Sequence, residues 1–267
     1  NFYGKYFIDA TGSAGVLVSE IGLRKKVPCH PSVGMEIEIY DPDQHLKKFQ
    51  NAISVFFDKD LFACGYGWVS TNGNDRYKIG IGESEVSSFK KHPNLKSRLE
   101  EFIKLLLNDK KIEILEKHGG SIYGGHNFKV NNIRHKNLLG IGDTIGSFNP
   151  FLGEGIRHAL YSSDIAIESI LKNIQKGEDL DSYEKKWKKY IDFHWKLTSF
   201  INIALYEKNT QITQNFYNEL IKIMDYLDVD DIIQIGQEYK IEVLLKKFPQ
   251  NIGVILALLR ARFFNFG

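Results

Sequence analysis

The chain has 267 residues, 43% of them hydrophobic, and a formal net charge of +2. That allows a substantial core in one or two domains and gives no charge excess that would point to nucleic acid. The two cysteines, Cys29 and Cys64, form no Cys-x-x-Cys and imply no disulfide framework. No stretch reads as a signal peptide, and the longest apolar run, residues 252–259, is far short of the roughly 20 residues that span a bilayer. A cytoplasmic, reducing setting is the expectation.

In chain order, residues 6–12 (Tyr-Phe-Ile-Asp-Ala-Thr-Gly) read as a strand closed by a tight turn. From Pro31 the period becomes two: Val33, Met35, Ile37 and Ile39 alternate with Gly34, Glu36, Glu38 and Tyr40, as in a half-buried strand. A second apolar run covers 53–57. Asn72-Gly73-Asn74-Asp75 then marks a hairpin between strands near 61–70 and 76–82, so an antiparallel sheet is expected over a ligand pocket. Within it Tyr66 and Trp68 share one face and Gly65 and Gly67 the other. The glycine face is expected to stay bare for close approach of another surface. Residues 95–107 fit an amphipathic helix with Leu95, Leu99, Phe102, Ile103 and Leu106 inward, ended by Asn108-Asp109. A glycine-rich stretch, 119–125, returns the chain to the next unit. His118, His126 and His135 are too scattered for a metal-ligand set.

Residues 137–170 carry the densest signal. Leu138 to Ile141 form a short apolar strand that Gly142 and Asp143 close. Asn149-Pro150 excludes helix at Asn149. Gly153-Glu154-Gly155-Ile156 opens a helix on which Ile156, Leu160, Ile167 and Leu171 recur at helical spacing. Glycines at a helix start leave amides open to an anion or an electron-rich ring oxygen. Beyond Gly177 the chain is helical. Asp181 with Glu184 suits a capping box, Tyr183, Trp187, Tyr190, Ile191 and Trp195 form a stripe, and Lys185, Lys186, Lys188 and Lys189 a solvated face or a basic face against an anionic membrane. Further helices are expected over 212–226, 230–247 and 250–264.

The string Gly-Asp-x-x-Gly, then Asn-Pro-x-x-Gly-Glu-Gly-Ile before a helix with small residues, resembles the second flavin motif of FAD-dependent oxidoreductases, and most closely the geranylgeranyl reductase family. Aromatic hydroxylases share the architecture but usually have His and Gln where Gly146 and Glu154 stand. Tyr66-x-Trp68 and the return strand Ile79-Gly80-Ile81-Gly82 match the family's prenyl-pocket motif, with Ser70-Thr71 in place of its Phe-Pro. The resemblance implies an α/β (α+β) fold of the aromatic-hydroxylase and geranylgeranyl-reductase type. Its parts would be the last piece of an FAD-binding sheet in 1–30, an antiparallel substrate domain in 31–117, the second FAD motif and helix in 118–175, and a helical region in 176–267. FAD would be the cofactor, held by Asp143 at the ribityl chain, by Gly155 and Ile156 at the ring, and by Gly142, Gly153 and Gly12. Tyr66 and Trp68 would line the site of a prenyl lipid or isoprenoid, whose double bonds are reduced, with peripheral membrane contact and an external electron donor not specified by the sequence. No catalytic residue is assigned; Tyr66 and Tyr123 are the candidate proton donors. The family's Gly-x-Gly-x-x-Gly fingerprint is absent from these residues, since Gly80-Ile81-Gly82 lacks both a third glycine and a following helix, so a C-terminal portion of a longer protein is expected. The alternatives are a monooxygenase or halogenase of the same fold, and a non-catalytic isoprenoid-binding protein.

Overall fold

The structure, a computed structural model, describes residues 3–23, 32–58, 61–62, 65–84, 94–110, 112–122, 133–149, 153–202, 226–236, 240 and 242–247. Cys29, Cys64, Tyr123, His126, Pro150, nearly all of the stretch 212–226 and the whole of 250–264 lie outside the described residues.

Two sheets organise the molecule. The larger is wholly antiparallel, in the order β3 (Ile53–Phe56), β4 (Gly65–Gly73), β5 (Arg76–Ser84), β2 (Ser32–Tyr40), β6 (Glu113–Ile122). The β4–β5 hairpin turns on Asn74 and Asp75 at φ 50° and 57°, after Gly73 at 73°. These residue types bear a left-handed backbone at the least cost. The turn thus sits two residues beyond Asn72-Gly73, and the register shifts between Thr71 and Gly73 to accommodate it. One face of the sheet supplies Ile37, Ile39, Val69, Ile79 and Ile81 to a core closed by α2 (Leu95–Leu107) through Leu99, Phe102 and Leu107. The helix starts where Asn94 accepts from the Ser97 amide and stops, as the sequence suggests, where Asn108 turns left-handed.

The smaller sheet has the order β1 (Phe7–Asp9), β8 (Leu138–Gly140), β7 (Arg134–His135). β1 and β8 run parallel, Phe7 beside Leu138 and Asp9 beside Gly140. This pairing brings together the two glycine turns that follow the two strands. A second core lies between this sheet, α3 (Ile156–Lys176) and α4 (Asp181–Asn202), around Leu139, Ile145, Ile165, Ala166, Tyr183, Trp187 and Ile191.

Several sequence expectations change here. The aliphatic stripe of α3 faces outward: Ile156, Leu160, Ile167 and Leu171 are 80%, 64%, 50% and 48% exposed. Its buried side is His158, Ser162, Ile165, Ala166 and Ser169. The helix approaches Gly142 so closely that a β-carbon there would lie 3.3 Å from the Ala159 β-carbon, and only small side chains permit that. The boundary expected between 117 and 118 falls inside β6, because Gly119 and Gly120 pair with Met35 and Gly34. At the start of α4, Asp179 accepts from the Asp181 amide at 2.8 Å, while the Asp181 carboxylate pairs with Arg134. The single helix expected over 230–247 is two shorter ones, α5 (Val229–Gly236) and α6 (Glu242–Lys247).

Candidate functional site

The first turn is built by Asp9. Its carboxylate is fully buried and accepts from the Thr11 amide (3.1 Å), the Thr11 hydroxyl (2.6 Å) and the Val18 amide (2.8 Å). Val18 lies in α1 (Val16–Glu20). Burial opposes the charge, but the Thr11 hydroxyl and the Val18, Thr11 and Leu17 amides outweigh it and hold the carboxyl below its usual value. Asp9 therefore ties the end of β1 to α1 and fixes the turn containing Gly12. The second turn is locked onto the first, since the Thr144 hydroxyl donates to the Gly12 carbonyl at 3.2 Å. Gly142, at φ 60°, donates its amide to Ser162 Oγ at 3.0 Å.

The third piece is the corner that starts α3. Asn149 donates its amide to the Glu154 carbonyl (2.7 Å), and Gly153 donates to the Asn149 carbonyl (2.8 Å). The N-cap Gly155 has no side chain to cap with. Glu154, one residue earlier, caps instead, accepting from the Arg157 amide at 2.9 Å. Asp143 Oδ1 lies 3.3 Å from where a Gly155 β-carbon would stand, so a side chain there would crowd the carboxylate.

These turns enclose a cavity of about 420 Å³. Gly12, Gly142, Asp143, Gly153, Gly155 and Ile156, the six positions singled out in the sequence, all line it. Phe148 and Ile122 also contribute to its wall. Nothing local marks Ile122, which arrives only because β6 ends at this point. The volume, glycine walls, single carboxylate and adjacent helix N-terminus suit a flat, partly anionic ring system with a polyhydroxyl chain.

One face of the larger sheet adjoins the cavity. Across the face opposite α2, Tyr66, Gly82, Gly34 and Gly120 stand in register, and in the next row Trp68, Gly80, Glu36 and His118. The Tyr66 hydroxyl lies 3.7 Å from a β-carbon position on Gly153, which joins this face to the helix corner. Burial pushes the Tyr66 hydroxyl's pKa up, so it remains a proton carrier at neutral pH. The Trp68 ring lies on Gly80, and its indole N–H donates to Glu36 at 2.8 Å. Glu36 also pairs with Lys78 at 3.3 Å. The expectation that Gly65 and Gly67 leave their own face bare is corrected. A β-carbon on Gly67 would meet Phe62 at 2.5 Å and Phe102 at 2.8 Å, and one on Gly65 would meet the Gly82 carbonyl oxygen at 1.7 Å. Core rings at Gly67 and neighbouring backbone at Gly65 fill that side; on the Tyr66–Trp68 face a β-carbon on Gly120 would meet nothing within 4 Å, while the Trp68 ring lies 3.4 Å from such a position on Gly82 and 4.0 Å from one on Gly34. Among the described residues no group of His, Cys, Asp and Glu could hold a metal ion, and no helix is long and apolar enough to cross a membrane.

The arrangement of sheets, turns and helix is the FAD-dependent oxidoreductase fold. A geranylgeranyl bacteriochlorophyll reductase-like protein from Thermoplasma acidophilum superposes on 92% of this chain and 62% of its own, with a TM-score of 0.67 at 20% identity. A flavin-dependent brominase covers 83% of this chain and 55% of its own, with a TM-score of 0.57 at 12% identity. In sequence, the digeranylgeranylglycerophospholipid reductase of Haloferax volcanii is 21% identical over 235 residues, 84% of this chain and 57% of that protein. Digeranylgeranylglycerophospholipid reductase 1 of Methanococcoides burtonii is 28% identical over 128 residues, 46% of this chain and 30% of that protein. No protein-family model matches. In sequence and in fold the chain is similar to these reductases, and it spans little more than half the length of the Haloferax relative.

Proposed function

We propose that this chain forms the ring-facing and substrate-facing part of an FAD-dependent reductase of prenyl double bonds, acting on a geranylgeranyl lipid or a related isoprenoid. One observation carries the reading: the Tyr66–Trp68 face of the larger sheet, read as a trough for the prenyl chain, meets the cavity where Tyr66 stands beside Gly153. A thin, kinked aliphatic chain would lie along the Tyr66 and Trp68 rings and over the open Gly120. A bulky or strongly polar substrate has no such need. Asp143 would accept from the ribityl chain, and the amides at Gly155 and Ile156 would face the pyrimidine edge of the ring, where the helix N-terminus favours negative charge. When bound, the flavin would supply the hydride for the alkene. The chain's own part is to hold the alkene at the mouth of the cavity and to exclude water with Phe148 and Ile122. Tyr66 keeps its proton available at the point where trough and cavity meet.

The test is the FAD-loaded, chemically reduced protein incubated without oxygen with a geranylgeranyl lipid. The product should gain a pair of hydrogens per double bond by mass spectrometry. Substrate-dependent oxygen consumption with hydroxylated or halogenated product would favour the monooxygenase or halogenase alternative. Binding of prenyl lipid without turnover would favour the non-catalytic one.

A further inference from the structure

Beneath the corner that starts α3 lies a fully buried histidine that no step above uses. His158 is 0% exposed, and its Nε2 lies 2.9 Å from Glu154 Oε2. Its Nδ1 lies 2.9 Å from the Tyr190 hydroxyl of α4. An ionised carboxylate only accepts, so Nε2 carries the hydrogen. In the neutral ring Nδ1 accepts from the Tyr190 hydroxyl, and in the protonated ring it donates to it; either way the two are joined. Tyr190 is itself held, stacked on Tyr161 with ring centroids 4.0 Å apart. Burial raises the pKa of its hydroxyl, with Arg157 opposing and Glu154 and Tyr161 adding to the rise. Glu154 at the start of α3 and Tyr190 from α4 thus meet this imidazole at its two nitrogens.

We propose that His158 is a positioning residue for the cavity. It locks Glu154 to α4, and through Glu154 it sets the corner formed by Asn149, Gly153 and Gly155 and the direction of the first turn of α3. The route is covalently short. The same Glu154 takes the Arg157 amide with one side-chain oxygen and the Asn149 amide with its carbonyl, and Gly153 and Gly155 line the cavity on either side of it. A buried imidazole in this place does what a glycine N-cap cannot: it orders a helix start whose amides must stay open to a ligand. The link to flavin rests on the function proposed above; the clamp itself does not.

The experiment uses the purified chain and three variants. Tyr190→Phe removes one hydroxyl from α4 and leaves His158 in place. His158→Gln retains a donor for Glu154 and an acceptor for Tyr190 within one side chain, whereas His158→Phe fills the space without either. Hydrogen exchange at the Asn149, Gly153 and Arg157 amides should quicken about fivefold in Tyr190→Phe and more in His158→Phe, with His158→Gln nearer the parent. The Gly140 amide, bonded to Ile133, should stay unchanged as the control. FAD affinity, read by flavin fluorescence, should fall in the same order. If Tyr190→Phe leaves corner exchange at the parental rate, or Gln and Phe at 158 behave alike, the clamp is wrong. If FAD affinity of the full-length protein is the same in the parent and all three variants while the exchange pattern holds, the flavin reading fails and the clamp stands.

Discussion

Replacing Gly80 by alanine tests the trough most directly. A β-carbon there would sit 2.2 Å from Trp68 Cζ2, 2.3 Å from Cε2 and 2.8 Å from Nε1, against an ordinary contact of 3.4–4 Å. The indole must therefore retreat by about 1.2 Å, and its hydrogen bond to Glu36 is lost or badly bent. Overpacking of this kind costs about 1–3 kcal/mol. The bond to a carboxylate adds about 1.5 kcal/mol, the low end for a charged partner, because Glu36 is partly open to water. An unhindered Gly→Ala change would instead stabilise by about 0.4–1 kcal/mol. The expected net loss is roughly 2–4 kcal/mol, measured by urea unfolding. The same substitution should be repeated in a Trp68→Phe background, where the smaller ring leaves room and the loss should fall below about 1 kcal/mol. A double-mutant cycle isolates the contact. Equal losses in the two backgrounds would refute the seating of Trp68 on Gly80, and with it the shape of the trough.

The remaining expectations concern the cavity and its supports. Asp143→Ala should weaken FAD binding by roughly tenfold, the worth of one charged hydrogen bond, with little change in melting temperature; a shift of melting alone would make Asp143 a turn residue. Asp9→Asn should destabilise by about 2 kcal/mol, because the Val18 amide or the Thr11 groups lose a charged acceptor. As the folded pKa of Asp9 lies below its ordinary unfolded value, its contribution is complete above that unfolded value and lost as pH falls through the lower folded one. The gap between parent and Asp9→Asn should accordingly close in acid, and a gap independent of pH would contradict this. Tyr66→Phe should lower turnover of a prenyl substrate with substrate affinity unchanged if the hydroxyl delivers the proton, while unchanged turnover would restrict Tyr66 to the trough wall.

What the sequence determined by itself is local. The alternation in β2, the stop of α2 at Asn108 and the hairpin at 72–75 depend on neighbours a few residues apart, so they can be read along the chain. Gly12, Gly142 and Gly153 take positive φ, which restricts residue type strongly, whereas Asp143, Gly155 and Ile156 were singled out by the resemblance of their motif. Tertiary structure decided which face each element shows. The aliphatic residues of α3 have perfect helical spacing, yet they face outward, because the nearness of Gly142 selects Ala159 and Ser162 for the inner side. Gly65 and Gly67 could not be told from Gly34, Gly82 and Gly120 by parity alone; Phe62 and Phe102 close over Gly67 and the backbone of β5 over Gly65, while the other face holds the Trp68 ring and leaves Gly120 open. Asp9 passed for a turn residue because two of its donors belong to Thr11 and the third to Val18 in the next helix. His158 carried no signal at all, since its partners, Glu154 and Tyr190, meet only when α4 folds back along α3.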